Sequence, residues 1–268
     1  MKSLQEQIAE LRSLGYATDT ARAKVAHDII LLAMHRSGFK PNSTIKGGVV
    51  MSSLTGDVRR ATMDMDIDFL HYSLAKASVE RFVRKLARAM PEVSLSIVGP
   101  IVELKHEDYR GKRIYLAVKD ASLMRAIRTK MDIGVHTREE MKQVDFSFDV
   151  VSDAENADLF ANSREQIFAE KLVSLLRHGA ATGRVKDIFD MYYLSQNLNR
   201  PLLKRYVKAI IFDSRRCKVS NRDDLIKVIK QIFGLRMFVR KLNNTRVNWI
   251  GEDPTVVLNA LIEFVSSL

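Results

Sequence analysis

The sequence predicts an α/β fold: a mixed β-sheet with flanking helices, followed by an all-helical C-terminal half. Three observations predict it. Between Met63 and Val151 several runs alternate apolar and polar residues with the period of a strand. Before that stretch, and throughout from Asn162, apolar residues recur at helical spacing. Helix-start and helix-stop residues punctuate the second half. A length of 268 residues suits one or two compact units with a real core, and the change of periodicity divides them at 1–155 and 156–268.

The elements follow in order. Asp19 or Thr20 is placed to cap a helix through Arg36, with Val25, Ile29 and Leu32 on one face and Gly38 as its stop. Ile45 to Leu54 carries paired glycines and reads as a strand end or a helix start. Met63 to Phe69, MDMDIDF, alternates without exception. A helix from about Ala75 to Met90 stops at Pro91. Strands then begin near Val93, Arg113, Lys130 and Val144. In the second half, Ser163 and Gln166 form a capping-box pattern ahead of IFAEKLVSLLRH, and Gly179 supplies the stop. Further helices are expected over Arg184 to Gln196 and from Pro201, Arg222 and Pro254, the last capped by Asp253.

Composition narrows the function. With 46% hydrophobic and 28% charged residues the chain is neither disordered nor fibrous. The single Cys217 rules out an internal disulfide and Cys-rich zinc modules. No apolar run approaches the ~18 residues needed to cross a bilayer, and the first residues lack a secretory signal, so a cytoplasmic protein without membrane partners is expected. Six scattered histidines show no zinc-ligand spacing. The glycine-rich loops of Rossmann and P-loop enzymes are absent. Net charge is +11, and between Pro201 and Ile250 thirteen Lys and Arg stand against three acids. Such a segment is either a set of solvated helix faces or a surface that tracks phosphates. On the second reading Arg215, Arg216, Lys218, Arg236, Arg240, Lys241 and Arg246 bind RNA, with an affinity that falls steeply as salt rises.

The most informative stretch is Met63 to Phe69. As a strand it sends Met63, Met65, Ile67 and Phe69 to one face and Asp64, Asp66 and Asp68 to the other. Aspartate is depleted in strands, and like charges on one face repel. Carboxylates at i and i+2 lie about 6.6 Å apart, from where both reach a divalent cation between them. Asp64 and Asp66 are therefore candidate metal ligands, with Asp68 a weaker third. Strands of this kind serve phosphoryl or nucleotidyl transfer, for which a further carboxylate is needed; Asp132, between Met131 and Ile133, is the candidate, and periodicity alone equally suits it as an isolated polar position on a sheet.

In order, Lys46-Gly47-Gly48, Arg60-Ala61-Thr62-Met63-Asp64-Met65-Asp66, Glu170-Lys171 and RVKDIFDMYYL from Arg184 resemble the AbiEii family of type IV toxin-antitoxin nucleotidyltransferases, within the polymerase-β-like superfamily. The resemblance spans Ile45 to Leu194. It implies a nucleotidyltransferase fold with a helical second domain, NTP as substrate, Mg²⁺ or Mn²⁺ as cofactor, a tRNA 3′ end as the kind of acceptor, and a possible cognate antitoxin. It implies Asp64, Asp66 and Asp132 as metal ligands, Asp132 also orienting or deprotonating the acceptor. It assigns the nucleotide to Gly47, Gly48, Arg60, Lys171 and Lys186, with Asp187 as the acid of the family's Lys-Asp pair. Val49 departs from the family's usual hydroxyl residue after the glycines; Ser52 or Ser53 is the replacement.

Taken without the family, the second-half residues have plain readings too. Lys171 flanks the stripe of Phe168, Leu172 and Leu175 and suits a surface lysine; Lys186 and Asp190 form an i, i+4 surface pair; Asp187 favours a helix start. Alternative functions are a nucleotidyltransferase acting on a small molecule or a protein hydroxyl, and an inactive RNA-binding module.

Overall fold

A computed structural model of the chain describes residues 1–104, 111–138, 140–151, 155–214 and 217–268. Arg215 and Arg216 lie outside these. The chain forms two compact units, Met1–Asn162 and Ser163–Leu268.

The first unit runs α1 (Leu4–Ser13), α2 (Thr18–Arg36), β1 (Ser43–Lys46), α3 (Gly47–Thr55), β2 (Asp64–Phe69), α4 (Lys76–Ala89), β3 (Ser94–Ile97), β4 (Val102–Leu104), β5 (Gly111–Lys119), β6 (Ile127–Val135), β7 (Gln143–Phe148) and β8 (Ala157–Asn162). The strands make one mixed sheet in the order β3-β5-β6-β2-β1-β8-β7, with β4 added on β5. β2 is central, parallel to β6 and antiparallel to β1. Alternation along β2 explains why it stays there. Met65, Ile67 and Phe69 are fully buried, each such burial contributing about 1.5–3 kcal/mol, whereas Asp64 and Asp66 keep partial exposure on the opposite face. Phe69 packs edge-on against Phe39, Tyr72 and Phe82 at centroid separations of 5.0–5.7 Å, which fixes the back of the strand.

Two expectations need correcting in this unit. α2 begins at Thr18 behind Ala17, with no side-chain cap, and Thr20 instead donates from Oγ1 to the Ala17 carbonyl at 3.0 Å. Met63 lies outside β2 and is half exposed, so it does not share the apolar face. Ile45 to Leu54 resolves into the end of β1 followed at once by α3, and β8 joins the sheet where no strand was expected.

The second unit holds α5 (Arg164–His178), α6 (Lys186–Ser195), α7 (Arg200–Val207), α8 (Arg222–Phe233), α9 (Arg236–Leu242) and α10 (Pro254–Ser266) around Phe168, Phe189, Leu203, Leu225, Phe238 and Leu261. Asp253 caps α10, accepting from the Thr255 amide at 2.7 Å. At α5 only half of the expected capping box forms. Ser163 accepts from the Gln166 amide at 3.2 Å, but the Gln166 side chain donates onward to Glu170 at 2.8 Å.

Candidate active site

The carboxylates of the first unit are positioned by strand register. Asp66 on β2 is the direct neighbour of Asp132 on β6, and Asp64 is the neighbour of Lys130. β1 sets Lys46 beside Asp66, and β5 sets Arg113 beside Asp132. Register partners on adjacent strands share a face at about 4.8 Å spacing. One row across four strands therefore reads Lys46, Asp66, Asp132, Arg113, with two acids inside and a cation at each end.

Those cations are engaged. Arg113 grips Asp132 with both arms, Nε to Oδ1 at 2.7 Å and a terminal nitrogen to Oδ2 at 2.8 Å. That hydrogen bonding holds the Arg113 guanidinium above its ordinary pKa. Lys130 Nζ lies 2.6 Å from Asp64 Oδ2, and Lys46 Nζ lies 2.7 Å from Asp68 Oδ1. Asp68 is buried, and it pairs with Lys46. The repulsion expected among the acids is thus relieved by neighbouring strands. Among the described residues no three His, Cys, Asp or Glu side chains gather closely enough to hold an ion as they stand.

The face nevertheless suits a hard divalent cation. Its donors are carboxylate oxygens, and the backbone leaves room beside them. Gly47 opens α3 with φ +64°, and a Cβ there would stand 2.7 Å from Asp66 Oδ2. A Cβ on Gly48 would stand 2.6 Å from Thr62 Oγ1. The paired glycines are therefore required for the start of α3 to lie against the acidic strand. The Asp66 carboxylate rests where any other residue at position 47 would intrude.

Other sequence-predicted residues fall differently. Val49 is buried and its side chain offers no donor. Ser52 and Ser53 line a small cavity with Lys24, His27, Asp28 and Thr62 and the apolar Leu31, Val49 and Ala61. Arg60 is only 4% exposed, so its guanidinium is held within the protein. The sequence reading missed His27. Buried on α2, it hydrogen-bonds Thr129 Oγ1 at 3.1 Å and the Met63 backbone, thereby tying together the residues just before Lys130 and just before Asp64. Burial pushes its pKa down to about 4, so the ring is neutral at ordinary pH. Its signal was a His-Asp pair inside an otherwise apolar helix, VAHDIILLAM.

A family model, nucleotidyl transferase AbiEii toxin of type IV toxin-antitoxin systems, matches residues 29–244. The chain belongs to this family. It is a nucleotidyltransferase of the AbiEii type, and the family implies a cognate antitoxin. No curated relative matches it. Among solved structures it is similar to a protein from Helicobacter pylori described as a candidate nucleotidyltransferase, at 14% identity and TM-score 0.50, covering 91% of this chain and 95% of that one. An antigenic nucleotidyltransferase-like protein from Paracoccidioides brasiliensis is similar at 14% identity and TM-score 0.50, with 84% and 92% covered. Both likenesses concern the fold, a mixed sheet with flanking helices and a helical C-terminal region.

In the second unit of this AbiEii-family enzyme, Lys171 is buried rather than on the surface. Its ammonium lies 2.5 Å from Asp187 Oδ1 and 2.8 Å from Asp190 Oδ2. Asp190, fully buried, also accepts from Trp249 Nε1 at 3.1 Å. Asp190 thus belongs to an internal network joining α5, α6 and Trp249. Of the basic residues, Lys218, Arg236, Arg240 and Arg246 are exposed. Lys241 Nζ donates to the Ala180 carbonyl at 2.9 Å, which commits part of its capacity to tying a turn.

Proposed function

We propose that this nucleotidyltransferase transfers NMP from an NTP to an RNA acceptor, a tRNA 3′ end by the family resemblance, in a reaction that depends on Mg²⁺ or Mn²⁺ and blocks translation. The observation that carries the reading is the side-by-side register of Asp66 and Asp132, with Asp64 on the same face and Gly47 opened against Asp66. Asp64, Asp66 and Asp132 would hold the metal. When bound, a divalent ion would supply Lewis-acid stabilisation of the charge that builds up on the departing pyrophosphate.

The chain's own groups supply the rest. Asp132 orients the acceptor hydroxyl and takes its proton as the hydroxyl oxygen bonds to the α-phosphorus. The bond from that phosphorus to the β-phosphate oxygen breaks, and pyrophosphate leaves. Backbone N–H groups at Gly47 and Gly48, at the positive end of α3, approach the triphosphate where no side chain stands in the way. Lys171 and Lys186 contribute phosphate contacts on the strength of the family order, with Asp187 holding the Lys171 ammonium. The exposed Lys218, Arg236, Arg240 and Arg246, together with Lys241, Arg215 and Arg216, supply the electrostatic hold on RNA.

The test incubates the protein and its Asp66→Ala variant with each labelled NTP, Mg²⁺ and total RNA. Label is expected in RNA of tRNA size with the parent protein and not with the variant. Label on protein or on small molecules would overturn the RNA acceptor. Equal labelling by Asp66→Ala would overturn the carboxylate site.

A further inference from the structure

The acidic face meets its cations in an arrangement that bears on how ligands arrive. Asp132 has both oxygens occupied by Arg113, and Asp64 has one occupied by Lys130. These are the oxygens that the proposed chemistry needs. Neither cation is locked away. The Arg113 side chain is 33% exposed and that of Lys130 is 25% exposed, and both are long stems whose heads can turn while their backbones stay in the sheet. Each also stands level with the acid it serves or beside the next strand, so a small rotation carries the charge off the carboxylate without leaving the face.

We propose that Arg113 and Lys130 are exchange residues: they neutralise Asp132 and Asp64 before ligands arrive, then pass to the nucleotide's triphosphate when metal takes the carboxylates. The inference rests on the metal-dependent reading above and deepens it by naming two nucleotide-holding residues outside the family motif. Charge accounts for the coupling. Metal arriving alone must displace two cations that gain no new partner, and triphosphate arriving alone meets cations already satisfied by carboxylates. Arriving together, each ligand supplies what the other releases. Affinity for either is then raised by the other through the same factor, as linkage requires. The sequence hides this, because Arg113 meets Asp132 and Lys130 meets Asp64 only through strand register.

The experiment measures Mn²⁺ binding by electron paramagnetic resonance, with and without an α,β-non-hydrolysable NTP analogue. It compares the parent protein with Arg113→Leu, Lys130→Met and Lys112→Met. Lys112 carries the same charge on β5 but pairs with Glu103, so its variant corrects for the general loss of a positive charge. Circular dichroism establishes that each variant is folded, and the two exchange variants stand in for each other should one fail to fold. In Arg113→Leu or Lys130→Met, Mn²⁺ alone is expected to bind about tenfold more tightly than in Lys112→Met, and the enhancement by the analogue to shrink. Analogue binding measured without metal should not improve in either exchange variant. If all the variants bind Mn²⁺ alike and keep the same enhancement, the exchange is overturned while metal dependence stands. If no form binds Mn²⁺ even with the analogue, metal dependence falls and the exchange with it.

Discussion

Gly47→Ala tests the meeting of α3 with the acidic strand, and Gly38→Ala is its control. The two glycines share nearly the same backbone, φ +64° and +65°, but a Cβ added at Gly38 would meet nothing within 4 Å, while one at Gly47 would meet Asp66 Oδ2 at 2.7 Å. Both variants incur about 1–2 kcal/mol for a left-handed alanine, offset by about 0.4–1 kcal/mol of lost unfolded-chain entropy. A net loss near 1 kcal/mol lowers Tm by about 2–4 °C in a chain of this size class. Only Gly47→Ala moves a functional group. Ordinary contact begins near 3.4 Å, so the carboxylate must retreat by about 0.7 Å. Displacement on that scale costs on the order of 10²-fold in rate when a reacting geometry depends on it. Initial rates of NMP incorporation, read beside thermal melts, separate the two effects. Gly38→Ala should melt early and work normally, whereas Gly47→Ala should melt early and lose about two orders of magnitude in rate. Equal activity in the two variants would refute the placement of Asp66 against α3.

Two further predictions concern stability. The folded pKa of His27 is about 4 against 6.5 for the free ring, so the unfolded chain takes up the proton first as pH falls. The stability it confers is complete above pH 6.5 and is lost on descent towards pH 4, by about 3 kcal/mol at 1.36 kcal/mol per unit. Neighbouring Asp28, with its pKa raised by burial, acts in the opposite direction as pH falls, and Lys24 stays charged beside both. Because His27→Gln retains those two groups, urea melts of parent and variant over this range should converge as pH drops; parallel curves would refute a neutral, buried imidazole. Separately, Lys171→Met removes the ammonium from a fully buried Asp190 and should destabilise the protein by about 3–5 kcal/mol in denaturant titrations. A loss below about 1 kcal/mol, the worth of a surface pair, would contradict its burial.

The parts of the fold legible in the sequence were those governed by local periodicity. β2 announces itself because one face is apolar at every second position, and β6 does so over Met131, Ile133 and Val135. β1 is four residues long and runs straight into a glycine-started helix, so its alternation has no room to register. β8, ADLFAN, lacks the β-branched residues that usually mark strands. For the site, residue type and spacing were enough to single out Asp64, Asp66 and Asp132 as candidates. The cationic partners of Asp64 and Asp132 were not legible, because Lys130 and Arg113 reach them only across strand pairings that no local pattern encodes. Lys171 reads as a surface residue for the same reason, since the two carboxylates that make its burial tolerable come from a different helix.

The strict two-residue rhythm of the central strand has a consequence for folding quality. Were it to slip by one place against either neighbour, three aspartates would be driven among the aromatic rings and the oily side chains pushed into water. No near-miss alignment is tolerable, so the residues that equip the strand for chemistry also proofread its pairing.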